Sequence, residues 1–247
     1  FEQMEMQFFV PPGTELKFYE EWKQKRLNWH LALGLGQENY KFHDHEKLAH
    51  YANAAADIEF KFPFGFKELE GIHSRTDFDL SAHEKFSGRK LQYFDPERNE
   101  NYVPYVVETS IGLDRMFLAL FSNCLKDEVL EDGSERTVLS LPPALAPVKA
   151  AILPLVKKDG LPEFAEKIFN DLKYDFNVIS EEKDSIGKRY RRQDAIGTPF
   201  CITVDHDSLT DNTVTLRERD TMKQERVKVE DLRRIIDEKV NFRTLLS

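Results

Sequence analysis

The stretch "YVPYVVETSIGLDRMFLALFSNCL", residues 102–125, admits few folds. An apolar, β-prone run hands over at Gly112 to a helical pattern. In that pattern Leu113, Met116, Phe117 and Leu120 recur at i, i+3, i+4 and i+7, which forms one apolar stripe. Side chains alternate along a strand, so Glu108 and Ser110 share one face and Thr109 takes the other. Gly112 lets the backbone turn or approach a ligand closely. Arg115 stands about 200° from Leu113 at roughly 100° per residue, off the stripe. It sits in the first helical turn, where the helix dipole disfavours a cation. It therefore needs an anionic partner, either a carboxylate such as Asp114 or Glu108 or an anion brought by a ligand.

The same alternation holds upstream. Phe1–Val10 is predicted as a strand with Gln3, Glu5 and Gln7 on one face and Glu2, Met4 and Met6 on the other. A carboxylate inside a Phe- and Met-rich strand is costly to bury alone. Either that face is wet, or Glu5 and Glu108 converge on a cation; two carboxylates and a hydroxyl suit an ammonium group. "PPGT" breaks the strand, and Thr14 is placed to cap a helix that ends at Gly34 or Gly36. "HDHEKLAHYANAAA" reads as a second, shorter helix. "IEFKFPFGFKELEGI" reads as a strand broken at Pro63–Gly65, and "TDFDLSAHEKFSG" as a loop with a short helix.

A polar, acidic stretch, "KDEVLEDGSERT", follows and is read as a linker, giving domains 1–133 and 134–247. Beyond it strands alternate with helices, the order of a small α/β domain with a parallel or mixed sheet. The first domain is antiparallel-rich α+β.

The 247 residues are 40% hydrophobic and 32% charged, enough apolar mass for a core, with a net charge of −9. A simple non-specific nucleic-acid binder is usually basic, so any such contact here is local. The densest basic island is "GKRYRRQD", where Lys188, Arg189, Arg191 and Arg192 flank Tyr190. It is either an RNA contact or a solvated face. No run of about 18 apolar residues is present, so no membrane helix is expected. Cys124 and Cys201 are two distant thiols, which fits a reducing cytoplasm. His43, His45 and His50 lack the spacing of a zinc site, and none is expected. No Ser/His/Asp or Cys/His set stands out. The chain opens mid-strand without an initiator Met, so it reads as part of a longer protein.

"GLDR" opening a helix after a strand that carries "ETS" resembles motif 3 of the class II aminoacyl-tRNA synthetases. "FEQMEMQFF" resembles the second strand of their motif 2. Together with "ELEGIHSRTDFDL" and "LSLPPALAPVKAAILPL", in this order, these strings resemble the dimeric glycyl-tRNA synthetases of bacterial and eukaryotic type. The tail "GKRYRRQDAIGTPFCITVD…NTVTLRERD…QERV" is similar to the anticodon-binding domain shared by several class II enzymes. The resemblance covers essentially the whole chain. It implies an α+β fold, namely part of a class II catalytic core with an antiparallel sheet, followed by an α/β anticodon-binding domain with a mixed sheet.

The resemblance also implies roles. Glu5 would read the glycine ammonium group, within a pocket lined by Phe1, Glu2, Gln3 and Met4 and closed by Glu108, Thr109, Ser110, Ile111 and Gly112. Phe1, Glu68, Leu69, Gly112, Leu113, Asp114 and Arg115 would contact ATP. Arg115 would hold the phosphates, and Glu68 would hold Mg²⁺. Catalysis would fall to Arg115 and Glu108. The implied partners are glycine, ATP and tRNA(Gly), with Lys188, Arg189, Arg191 and Arg192 on the RNA. The implied protein is a cytoplasmic homodimer. Motif 1 and the first half of motif 2 are not in the sequence, so little activity is expected of these residues alone; glycine-dependent pyrophosphate exchange tests that. Two other readings are a non-catalytic RNA-binding relative and a sister synthetase for another amino acid.

Overall fold

Alternation along "QMEMQFFV" and "YVVETSIG" places these segments side by side as antiparallel neighbours in a sheet. The structure, a computed structural model, describes residues 2–246. It divides into two compact units, residues 1–122 and 123–247. In the first, β1 (Gln3–Val10) is followed by α1 (Glu15–Ala32), β2 (Tyr40–Asp44), β3 (Ala54–Phe62) and β4 (Gly65–Thr76). Then come α2 (Phe78–Ser87), a small hairpin of β5 (Tyr93–Asp95) and β6 (Glu100–Tyr102), β7 (Tyr105–Gly112) and α3 (Leu113–Cys124), whose last turn crosses the division. The main sheet has the order β1-β7-β4-β3-β2 and is antiparallel throughout.

Helix α1 covers one face of this sheet. Phe8 of β1 meets Phe18 and Trp22 of α1, at ring separations of 5.3 and 5.6 Å. Beneath α1 lie Val107, Ile72 and Ile58, all fully buried. Glu70 lies on the same face without solvent contact and accepts from Arg26 Nε at 2.6 Å and Arg26 Nη2 at 3.1 Å. His30 Nε2 meets Oε2, the oxygen that Arg26 Nη2 also reaches, at 2.7 Å. Burial by itself would raise the Glu70 carboxyl, but the His30 and Arg26 hydrogen bonds outweigh it and hold the group below the usual carboxylate range.

Two local expectations are corrected. "HDHEKLAHYANAAA" is not a helix: His43 and Asp44 end β2, and Ala54–Ala56 begin β3. Alanine favours helix only weakly against tertiary context. Here Ala55 and Ala56 are buried sheet residues, and His45 ties the connection back through its N–H to the Ala55 carbonyl at 3.0 Å. Thr14 stands at the N-cap of α1, but its hydroxyl donates to the Pro11 carbonyl, and the Glu15 carboxylate accepts from Gly13 N.

In the second unit the acidic stretch expected to be a linker is a hairpin, β8 (Leu125–Val129) with β9 (Glu135–Leu139). Its turn is closed by the Leu130 N–H on the Ser134 carbonyl, with Gly133 at φ +79°. Buried Arg136 anchors β9 through Glu128 at 2.7 Å and Asp194 at 3.1 Å. The chain therefore divides at Ser122/Asn123 rather than at 133/134. There follow β10 (Ala150–Pro154), α4 (Leu161–Leu172), β11 (Val178–Ser180), α5 (Ile186–Ile196), β12 (Phe200–Val204), α6 (Ser208–Asp211), β13 (Thr213–Glu218), β14 (Gln224–Lys228), α7 (Leu232–Val240) and α8 (Phe242–Leu246). The sheet order is β11-β10-β12-β13-β14, parallel among the first three and antiparallel beyond. Helices α4 and α7 pack on one face through Leu161, Ile168, Leu232 and Ile236. Helix α5 packs on the other, against Ala151, Leu153 and Cys201.

Candidate active site

The sheet face opposite α1 is polar, and pairing register sets its pattern. In antiparallel strands directly opposed residues share a face. Glu5 opposes Ser110, and Gln7 opposes Glu108. On the other side of β7, Gly71 opposes Ser110 and His73 opposes Glu108. Glu5, Glu108 and Ser110 are thus on one face, as alternation predicts. Gln3 links two of them, donating from Nε2 to the Glu5 carboxylate at 3.1 Å and to the Ser110 hydroxyl.

Glu108 is only 4% exposed. Gln7 Nε2 donates to it at 3.2 Å, and Arg75 Nη1 approaches at 3.1 Å. Arg75 also donates from Nε to Asp79 at 2.8 Å and stacks over Tyr51 at 4.3 Å. The Asp79 hydrogen bond first, and then the Glu108 charge, push the Arg75 guanidinium above its ordinary value. It is a fixed cation. A register shift between Ser74 and Thr76 makes Arg75 the extra residue of a β-bulge, and Thr76 takes a φ of +56°. A β-branched residue there is strained, and bulges beside sites re-aim side chains.

Two cavities, each of about 380 Å³, open on this face. The first is lined by Glu2, Gln3, Glu68, Leu69, Ser110, Gly112, Asp114 and Arg115. The second is lined by Glu5, Gln7, Arg75, Asp79, Leu80, His83, Val106 and Glu108. The sequence expectations named all eight residues of the first set but, as site residues, only Glu5 and Glu108 of the second. Period two along "GIHSR" puts Gly71 and His73 on one face of their strand, but the bulge between Ser74 and Thr76 breaks that count at Arg75, and Asp79, Leu80 and His83 lie beyond the strand.

Other expected residues stand elsewhere. Met4, Thr109 and Ile111 lie one step out of phase on the α1 side. Met4 opposes Ile111, which also opposes Glu70, so their side chains face away from both cavities. Leu113 is exposed and lines neither cavity. Phe1 lies outside the described residues. The α3 stripe is also corrected: Met116 and Ala119 are its buried residues, while Leu113 and Phe117 are exposed, with Phe117 stacked on Phe121. Arg115 is free of the core. Its partner is Glu68, not Asp114 or Glu108: Nη1 donates to the Glu68 carbonyl at 2.5 Å and lies 3.3 Å from the Glu68 carboxylate. Among the described residues no group of three or more His, Cys, Asp or Glu side chains is placed to hold a metal ion. Glu68 alone fits only a cation that brings other ligands with it, as Mg²⁺ does on phosphates.

In the second unit the basic island is mostly spent on structure. Arg189, expected on RNA, is 2% exposed and donates to the carbonyls of Pro154 (2.8 Å), Glu181 (3.0 Å) and Leu155 (3.2 Å). It lies where the parallel strands end and cannot reach a phosphate. Arg192 is paired with Glu181 at 2.6 Å and Asp184 at 3.0 Å, and Arg191 donates to the Ser134 hydroxyl at 3.1 Å. Tyr190 meets the Thr203 hydroxyl at 2.6 Å under the Arg217 guanidinium. Of the four, Lys188 alone is exposed, and it has no partner among the described residues.

Comparison with known proteins bears on both units. Residues 149–239 match the family of the anticodon binding domain. The chain is homologous to glycine–tRNA ligases over nearly all its length. It is 56% identical to that of Chlorobaculum tepidum over 228 residues, 92% of this chain and 48% of that protein. It is 54% identical to that of Macrococcus caseolyticus over 244 residues, 98% of this chain and 52% of the relative. It is 54% identical to that of Borrelia hermsii over 237 residues, 94% and 53% respectively. The chain spans about half the length of the relatives it matches.

Proposed function

We propose that this chain, a homologue of glycine–tRNA ligases, carries the amino-acid and ATP face of a class II synthetase core joined to an anticodon-binding domain. The protein's reaction is the ATP-dependent attachment of glycine to tRNA(Gly). The observation that carries this reading is the two-ended polar face. Glu5 and Glu108 stand at one end, Arg115 and Glu68 at the other, and Ser110, opposite Glu5 and lining the Arg115 cavity, lies between them.

The chemistry follows from the charges. Glu5 and Glu108 accept from the glycine ammonium, and Arg75 and Gln7 hold the Glu108 carboxylate still. Arg115 is half-exposed, and its present partner is a surface carboxylate worth little to stability, so a triphosphate can displace it. The glycine carboxylate oxygen then attacks the α-phosphorus, the bond to pyrophosphate breaks, and glycyl-adenylate forms. A terminal ribose hydroxyl of the tRNA next attacks the glycyl carbonyl and AMP leaves. No side chain forms a covalent intermediate, so positioning and charge stabilisation carry the rate. Mg²⁺, held by Glu68 and the phosphates, would neutralise phosphate charge. Lys188 is the cation of the basic island left to meet RNA. A reducing cytoplasm fits two buried free thiols, and a homodimer is the assembly that the resemblance implies.

The test is calorimetry of the full-length protein with non-hydrolysable glycyl-, alanyl-, seryl- and prolyl-adenylate analogues. The glycyl analogue should bind tightest, and Glu108→Gln should weaken it by about 10- to 100-fold, the worth of a charge-assisted hydrogen bond. Equal binding of a larger analogue would overturn the glycine assignment.

A further inference from the structure

The glycine at position 71 is unusual in that no turn calls for it. Its backbone lies within β4, and its φ is outside the left-handed region. What it provides is space, and His73 takes that space. A Cβ at residue 71 would lie 2.8 Å from His73 Cε1, 3.5 Å from Nε2 and 3.6 Å from Nδ1. The imidazole therefore leans along its own strand with Cε1 foremost into the space over Gly71.

The position of that ring is fixed by register. Gly71 opposes Ser110, and His73 opposes Glu108. The ring thus lies in the next strand from the two β7 groups assigned above to the glycine ammonium. Its Nδ1 is 3.9 Å from Glu108 Oε1, too far for a hydrogen bond, and that nitrogen is buried with no hydrogen-bond partner among the described residues. A half-buried imidazole with an orphaned nitrogen is not held there by a hydrogen bond from Nδ1. Beside it His45 stands edge-on at 6.3 Å, itself tied to Asp57 at 2.9 Å. Burial, opposed by the charges of Glu108 and Asp57, lowers the proton affinity of His73. A neutral ring does not compete with an ammonium group for Glu108.

We propose that the His73 imidazole, seated in the gap left by Gly71 just outside the lining of the two cavities, is a specificity-determining residue of the amino-acid pocket: it occupies the volume beside Ser110 and Glu108 into which any side chain larger than hydrogen would extend. This rests on the assignment of Glu5, Glu108 and Ser110 to an amino-acid ammonium group. Steric exclusion acts where polar recognition cannot, because glycine and alanine present the same ammonium and carboxylate.

The experiment is calorimetric binding of glycyl- and alanyl-sulfamoyl-adenosine to the full-length protein and to His73→Ala, His73→Asn, His73→Phe and Gly71→Ala variants. His73→Ala should raise alanyl relative to glycyl affinity by about 10- to 200-fold, the range for one methyl group in a tight pocket. His73→Asn should give an intermediate ratio, and it carries the decision if the alanine variant does not fold. His73→Phe keeps the bulk and should keep the discrimination. Gly71→Ala should drive the ring towards the ligand and weaken the glycyl analogue by about tenfold or more. If the unaltered protein prefers the glycyl analogue and the alanine and asparagine variants leave the ratio unchanged, the His73 role is overturned and the glycine assignment stands. Loss of discrimination in His73→Phe overturns it equally. If the unaltered protein shows no preference for the glycyl analogue, the functional assignment falls, and the His73 role falls with it.

Discussion

Substituting Arg189 by alanine separates a structural role from an RNA role. The guanidinium donates to three carbonyl oxygens, on Pro154, Leu155 and Glu181, at the ends of β10 and β11. Each hydrogen bond from a charged group is worth about 1.5–3 kcal/mol when its partner is left unpaired. The three share one side chain and do not add fully. Water can also reach the strand ends once the side chain is gone. A net loss of about 3–5 kcal/mol is therefore expected, a large part of a domain's total stability of roughly 5–15 kcal/mol. The assay is urea unfolding followed by a probe in the second unit. With a slope of about 1–3 kcal/mol per molar, the midpoint should fall by about 1 M or more. Arg189→Lys should lose about half as much, because an ammonium cannot span three diverging carbonyls. tRNA affinity of the fraction still folded should be unchanged. A variant whose midpoint does not move but whose tRNA affinity drops would refute this reasoning and return Arg189 to the RNA surface.

Four further outcomes follow. Arg115→Ala should leave stability within about 0.5 kcal/mol, since its pair with Glu68 is exposed, yet weaken ATP by about 10- to 100-fold in pyrophosphate exchange of the full-length protein. Glu70→Gln should cost about 3–5 kcal/mol by stranding Arg26 and His30. The Glu70 carboxyl is depressed in the folded state, so its contribution is complete above the ordinary carboxylate value and is lost as pH falls through the depressed one; the variant should lack this acid limb in unfolding titrations. Lys188→Ala should lower the slope of log affinity for tRNA against log salt by about one, and an unchanged slope would make α5 a solvated face. Cys201, whose thiol burial pushes up to about 12, and buried Cys124 should resist a thiol reagent at neutral pH until the protein unfolds.

What the sequence made legible was the local and the periodic. Alternation alone put Glu108 with Ser110, and helical phase freed Arg115 from the core. Composition misled where context ruled. Three alanines after "HYAN" suggested helix, yet their small side chains suit a crowded strand, with Ala55 and Ala56 buried. An acidic stretch suggested a linker, yet Arg136 inside it answers Glu128 and Asp194, a partner far along the chain. The basic island misled for the same reason. A charged side chain shows its sign in the sequence, but only the fold shows that the β10 and β11 ends offer Arg189 bare carbonyls. Arg75 was invisible because its aim depends on a bulge.

The two faces of β4 show why the site needs its buried ions. Residues 69–75 alternate between the α1 face and the open face of the sheet, and a slip of one residue against β7 would exchange every assignment. Hydrophobic pattern alone holds that register weakly here. Gly71 has no side chain to miss the solvent, and His73 is already half-buried. Glu70 is different. Its carboxylate is satisfied under α1, by Arg26 across both oxygens and by His30 on one of them. Slipped to the open face it would leave two buried donors unmatched, a cost of several kcal/mol. The same ions placed elsewhere would add little, since buried pairs are often no better than apolar packing. Their value lies in discriminating one register from its neighbours. That register aligns Gly71 with Ser110 and His73 with Glu108, and the bulge at Arg75 then closes on the carboxylate it has brought into line.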